Sequence, residues 1–123
     1  MHAVANVAVS IVALIHTAIG IAEMLLFPRP KVYTRLERFA FTQAEATKVA
    51  PIVANAGLYN LFVTAGLAWS VYTGQPTTAI FFLLCVAVAG LFGAVTLEPT
   101  TLMLQTIPAA LALLAVWAAN RGR

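Results

Sequence analysis

Four long apolar stretches divide the chain, and most of its charge lies in what joins them. The first, Ala3–Phe27, is continuous except for two ionisable residues, His16 and Glu23. About 20 residues at about 1.5 Å each cross a bilayer, so this run is long enough. Pro28 and Pro30 in FPRP are expected to stop it, because proline lacks the helical donor and disfavours helix in the residue before it. Lys31–Ala44 is the segment of mixed polarity. Val32, Leu36, Phe39 and Ala40 recur there at helical spacing, which fits a short amphipathic helix on a membrane surface or a solvated loop. The second helix is expected over about 45–72, entered through a capping box of Thr42 and Glu45. Pro51 predicts that the membrane helix begins there or is kinked there. Trp69 and Tyr72 fall at its far end, where aromatic belts form, and Thr73–Pro76 reads as a tight turn. The third helix, about 77–97, carries the small pairs Ala89/Gly93 and Gly90/Ala94, which favour close helix approach. Glu98-Pro99 is a turn. The fourth helix, about 99–120, opens on proline and is predicted to kink at Pro108.

Composition turns these runs into a fold class. Of 123 residues, 62% are hydrophobic and 9% charged, against about 25% charged in soluble domains. So few charges do not cover a soluble globule, and lipid is the expected outer solvent. The expectation is one all-α domain over 1–123, a four-helix transmembrane bundle with a short amphipathic segment between helices 1 and 2. Arg29, Lys31, Arg35 and Arg38 supply four of the seven basic residues from one loop, in a chain of net charge +3. That pattern orients a membrane protein and is not a nucleic-acid signature. It predicts a cytoplasmic first loop and outer termini, with Arg121 and Arg123 pulling the other way. The first run is expected to be retained, since no Lys or Arg precedes it and it exceeds a signal-peptide core. Cys85 is the single cysteine, so no disulfide forms within the chain.

Ionisable residues inside membrane spans are costly and tend to have a purpose. His16 and Glu23 are two helical turns apart, hence on one face, with Gly20 between them. On helix 2, Lys48, Asn55, Tyr59, Phe62 and Gly66 share a face, while Asn60 lies more than a quarter-turn away. Counting depth from the shared loop places Asn55 near Glu23 and Tyr59 near His16, and brings Gln105 of helix 4 to the same layer. The expected cluster is His16, Glu23, Asn55, Tyr59 and Gln105, in the half of the bundle nearest the basic loop. Glu23 and His16 are its candidate catalytic pair, because carboxyl and imidazole groups exchange protons. Asn55, Tyr59, Gln105 and Asn60 are the candidate ligand-binding groups. The plainer alternatives are a Glu23 satisfied by Lys48 or loop arginines, a His16 bonded to a helix carbonyl or to Tyr59, and amides that glue helices together. With no second His or Cys at matched depth, no metal or cofactor is expected.

The stretch H16-x6-E23-M24, the run E45-A-T-K48 leading to N55-A-G-L-Y-N60, the segment from Gly90 to Ala94, and Q105-x-x-P108-A109 resemble a family of small bacterial four-helix membrane proteins. That family is catalogued as a domain of unknown function. The resemblance implies an integral protein of the bacterial inner membrane and supports the choice of polar residues, but it supplies no reaction. Three functions follow as expectations. The first is a site that binds a small lipophilic or isoprenoid-like molecule, or isomerises, cyclises or hydrates it by acid/base chemistry. The second is a small proton-linked transporter, as a homo-oligomer. The third is an accessory membrane subunit.

Overall fold

The computed structural model describes residues 1–121. Arg123, counted above with Arg121 for orientation, lies outside the described residues. Among them there are five α-helices and no strand. α1 is Ala3–Leu26, α2 is Pro30–Tyr33, α3 is Gln43–Thr73, α4 is Pro76–Thr96 and α5 is Leu102–Arg121. All but α2 are long and apolar enough to cross a membrane, which is what a membrane protein requires.

The four long helices form a ring in which α1 packs on α3 and α5, and α4 packs on the same two. Their shared core holds Val9 and Val12 of α1, Leu67 of α3, Leu83 and Val86 of α4, and Ala112 and Val116 of α5. Large apolar side chains also cover the outside, among them Leu14, Phe62, Phe81, Val88 and Leu111. Apolar residues on both surfaces suit lipid outside and helix packing inside.

Two crossings are set by glycine. A Cβ on Gly57 would lie 2.8 Å from the Gly20 carbonyl oxygen, so α1 and α3 touch backbone to backbone. Gly90 gives the same closeness between α4 and the start of α5, a Cβ there lying 2.7 Å from the Thr106 backbone nitrogen; nearby the Thr101 hydroxyl donates to the Gly90 carbonyl at 2.8 Å and Thr106 to that of Ala87 at 3.1 Å. Of the small pairs on α4, it is the glycines that are buried.

Two of the prolines expected to disturb the helices, Pro28 and Pro108, act one turn earlier than their own positions. Ala22–Leu26 at the end of α1 and Leu102–Thr106 at the start of α5 are π-helical turns. Each ends two residues before a proline, Pro28 and Pro108. Those prolines cannot donate to the carbonyls of Met24 and Leu104, and the turn containing each carbonyl widens. Pro51 does not begin the helix: α3 is continuous over 31 residues and starts at Gln43, eight residues before Pro51. The Thr42–Glu45 capping box is present at that start.

The segment between α1 and α3 is not one amphipathic helix. It is α2, then a single 3₁₀ turn at Glu37–Phe39, separated by Leu36 in a non-helical conformation and ended by Ala40 at φ 46°. Phe27, Tyr33 and Ala46 form a small second core, with Leu36, Phe41 and Val49 packed against it. Phe41 meets Phe27 edge-on and stacks on Phe39. This packing gives the loop a fixed path over the end of the bundle.

Candidate functional site

Glu23 sits on the π turn of α1. Helical side chains lean toward their own N-terminus, and in this antiparallel pair Glu23 and Asn60 therefore lean toward each other across the Gly20–Gly57 contact. Asn60 Nδ2 donates to Glu23 Oε2 at 2.7 Å. One turn further along α3, the Thr64 hydroxyl reaches the carbonyls of Ala13 and Asn60, each at 3.2 Å. The Thr17 hydroxyl of α1 reaches the Ala13 carbonyl at 2.9 Å and the Thr64 hydroxyl at 3.2 Å. The α1–α3 seam is thus polar from Glu23 to Thr17.

On its other side Glu23 lines a cavity of about 600 Å³ at the loop end of the bundle. Gln105, on the π turn of α5, lines it too, so both π turns present a polar side chain to one space. Ile19, Met103 and Leu104 make apolar walls, and Arg35, Leu36 and Glu37 come from the loop above. Glu98 completes the rim. The loop is fastened there: the Arg38 backbone N–H donates to Glu98 Oε1 at 2.8 Å, and its guanidinium donates to the Val95 carbonyl. The volume falls within the range of small-molecule pockets, about 300–1,000 Å³. Three of the chain's four carboxylates, Glu23, Glu37 and Glu98, line this one space. An apolar interior beneath a charged roof suits a ligand with an apolar body and a polar head. Among the described residues no three His, Cys, Asp or Glu side chains gather closely enough to hold a metal ion.

The expected cluster is therefore only partly assembled. Glu23 and Gln105 share the cavity, and Asn60, expected to face elsewhere, holds the Glu23 carboxyl. His16 is 2% exposed in the bundle core, where its Nδ1–H donates to the Val12 carbonyl at 3.0 Å, and it is not on the cavity wall. Asn55 and Tyr59 do not join the cluster. Asn55 is exposed, and Tyr59 is 60% exposed and packs edge-on against Phe62 on the outer surface. The reason is angular. Gly57 faces α1, and positions two residues either side of it are turned about 200° away. Lys48 is exposed as well.

Arg35, Glu37, Glu98 and Thr101 also line the cavity; the sequence reading puts the first two in the segment after helix 1, Glu98 in a turn and Thr101 in the first turn of helix 4, and assigns none of them to the site. The available signal was topological, since the first and third connections must lie at the same end of an antiparallel bundle.

No curated protein and no solved structure matches this chain. A family model matches residues 10–117, a span that includes both π turns, Glu23, Asn60, Gln105 and the loop over the cavity. The chain belongs to that family, described as Protein of unknown function (DUF1304).

Proposed function

We propose that this chain is an integral membrane protein whose loop-end cavity binds a small lipophilic, isoprenoid-like molecule with a polar head and exchanges a proton with it through Glu23. The observation that carries the reading is the Glu23 carboxyl, braced by Asn60 on one side and facing a cavity with Gln105 on the other. Asn60 fixes the carboxyl, Gln105 offers an amide donor and acceptor to the polar head, and the apolar walls take the body. Proton transfer of this kind suffices for isomerisation, cyclisation or hydration and asks only for a positioned acid or base. His16, bonded within its own helix, has a packing role in this reading. The basic residues of the loop favour a cytoplasmic loop end.

The test is to purify wild type, Glu23→Gln and Tyr59→Phe in nanodiscs, extract them, and compare bound small molecules by mass spectrometry. A lipophilic compound enriched in wild type and Tyr59→Phe but lost from Glu23→Gln is the expected result. Equal amounts in all three, or no enriched compound, would overturn the reading.

A further inference from the structure

Residues 55–60 of α3 point in two directions. Gly57 and Asn60 meet α1, while Asn55 and Tyr59 are turned away from it and exposed. These two belong to an outer stripe of Lys48, Ile52, Asn55, Tyr59 and Phe62, all exposed and spaced alternately four and three residues apart. That spacing holds one face outward over two heptads. The stripe ends where α4 arrives, because the Phe82 ring fills the space that a Cβ on Gly66 would need. The outer faces of the other long helices are apolar, through Ile11 and Leu14 on α1, Leu84 and Val88 on α4, and Leu111 and Leu114 on α5. Acyl chains suit those side chains. They offer nothing to an amide.

Depth makes the Asn55 amide a problem to be solved. Trp69 and Tyr72 are exposed near the far end of α3, where aromatic side chains sit at a membrane surface. Counting back from them by about 20 residues, the length that crosses the hydrocarbon, puts the other surface near residue 50. Asn55 is then about 8 Å inside that surface. Lys48 lies outside it, and its long side chain reaches water. An asparagine side chain is too short to do so. Between Lys48 and Thr64 the side-chain hydrogen bonds of α3, among the described residues, are those of Asn60 and Thr64. The Asn55 amide has none, and neither has the Tyr59 hydroxyl one turn away, which leans toward it. An unpaired amide in hydrocarbon is costly, so it calls for a partner.

A second copy of this chain supplies one. Two copies inserted the same way are related by a two-fold axis along the membrane normal, and a residue near that axis meets itself. An amide carries both donor and acceptor, so Asn55 is complementary to Asn55. A lone asparagine in a heptad seam fixes register and partner number in this manner. We propose that Ile52, Asn55, Tyr59 and Phe62 form the seam of a symmetric dimer of this chain, held by hydrogen bonds between its two Asn55 amides. Each Nδ2–H donates to the Oδ1 of the other copy, Ile52 and Phe62 pack on either side, and Tyr59 flanks the pair. The seam is turned away from the side of α3 that meets Glu23, so the dimer does not rest on the ligand-binding reading.

The experiment uses the whole chain, labelled at its N-terminus with a donor or an acceptor dye, in phosphatidylethanolamine–phosphatidylglycerol liposomes over a range of protein-to-lipid ratios. Wild type is expected to show energy transfer above that of random encounters even when dilute in lipid. Asn55→Leu is expected to need a roughly 3- to 30-fold higher ratio for the same transfer, the effect of one interhelical hydrogen bond in a membrane. Val88→Leu, on the outer face of α4, should change nothing. Oxidation with copper phenanthroline should cross-link Ile52→Cys in a Cys85→Ser background but not Leu14→Cys in the same background. Adding Asn55→Leu to the first should lower its yield. Since Asn55 is exposed and bonded to nothing in its own chain, far-UV circular dichroism should be unchanged by its loss. Transfer at the random level for wild type at every ratio would overturn the dimer and leave the stripe to lipid or to a different protein. So would an unshifted ratio for Asn55→Leu, or cross-linking at Leu14→Cys as strong as at Ile52→Cys.

Discussion

Gly57 decides which side of α3 is inside. A Cβ there would meet the Gly20 carbonyl oxygen and Met24 Cγ, both at 2.8 Å, and Glu23 Cβ at 2.9 Å. One of these is backbone and cannot swing aside. Gly57→Ala is expected to destabilise the bundle by about 1–3 kcal/mol, the usual range for an overpacked contact, read as a lower midpoint of unfolding in mixed detergent micelles. Gly74→Ala is expected to cost about 1 kcal/mol for another reason: its φ of 66° is strained for any residue with a Cβ, although nothing lies within 4 Å. Gly74→Asn, which tolerates that conformation better, should recover part of the loss, whereas Gly57→Asn should not. The same residue explains where reading the sequence went astray. In water, polar residues on a mostly apolar helix mark its outside. In an apolar chain the inverse rule puts every polar group inside and groups Lys48, Asn55 and Tyr59 on an inner face, whereas all three are exposed. Gly57, between Asn55 and Tyr59, was the better guide, because close approach of backbones selects the smallest residue.

At the scale of elements, the helices were legible and their irregularities were not. Length, apolarity, the capping box at Thr42 and the Gly74 turn all act locally, and the long-helix boundaries agree with the structure to within three residues at each end. The two π turns follow from Pro28 and Pro108 only once it is known which carbonyls need new partners, and that depends on neighbouring helices. Counting depth along the chain already puts Glu23 and Gln105 in one layer, and they share a cavity, whereas the π turns that carry them are not visible as spacing. The capping box is the element feature most open to test. Thr42 Oγ1 accepts from the Glu45 backbone N–H at 3.3 Å, and Glu45 Oε2 accepts from the Thr42 backbone N–H at 2.9 Å. Thr42→Ala removes the first bond, and the expected outcome is fraying of the first turn of α3. Hydrogen exchange would show it as faster exchange at Glu45 and Ala46, with the amides beyond Pro51 unchanged.

Across the whole molecule, the loop after α1 is what ties the two halves of the ring together at one end. Its inner side packs on α1 and α3 through Phe27, Tyr33 and Ala46, and Gln43 Nε2 donates to the Pro28 carbonyl at 2.8 Å. Its outer side is fastened to the α4–α5 turn through Arg38 and Glu98. Glu98→Ala is expected to release that fastening. A hydrogen bond to a charged group is worth about 1.5 kcal/mol, so opening should become roughly tenfold more frequent. Limited trypsin digestion in nanodiscs would report it as faster cleavage after Arg35 or Arg38. The contact of Gly20 with Gly57 has a mechanical consequence for this loop. Because α1 and α3 touch there at their backbones, with bulkier groups on either side, the pair behaves as a lever on a fulcrum. One arm, from Gly57 back to Ala46, is about 16 Å long and reaches the aromatic cluster; the other, from Gly57 to Tyr72, is about 22 Å long and ends at the side of the bundle opposite the loop. A push that spreads the helices beneath the loop tends to close them at the opposite end, with the longer arm travelling further than the shorter.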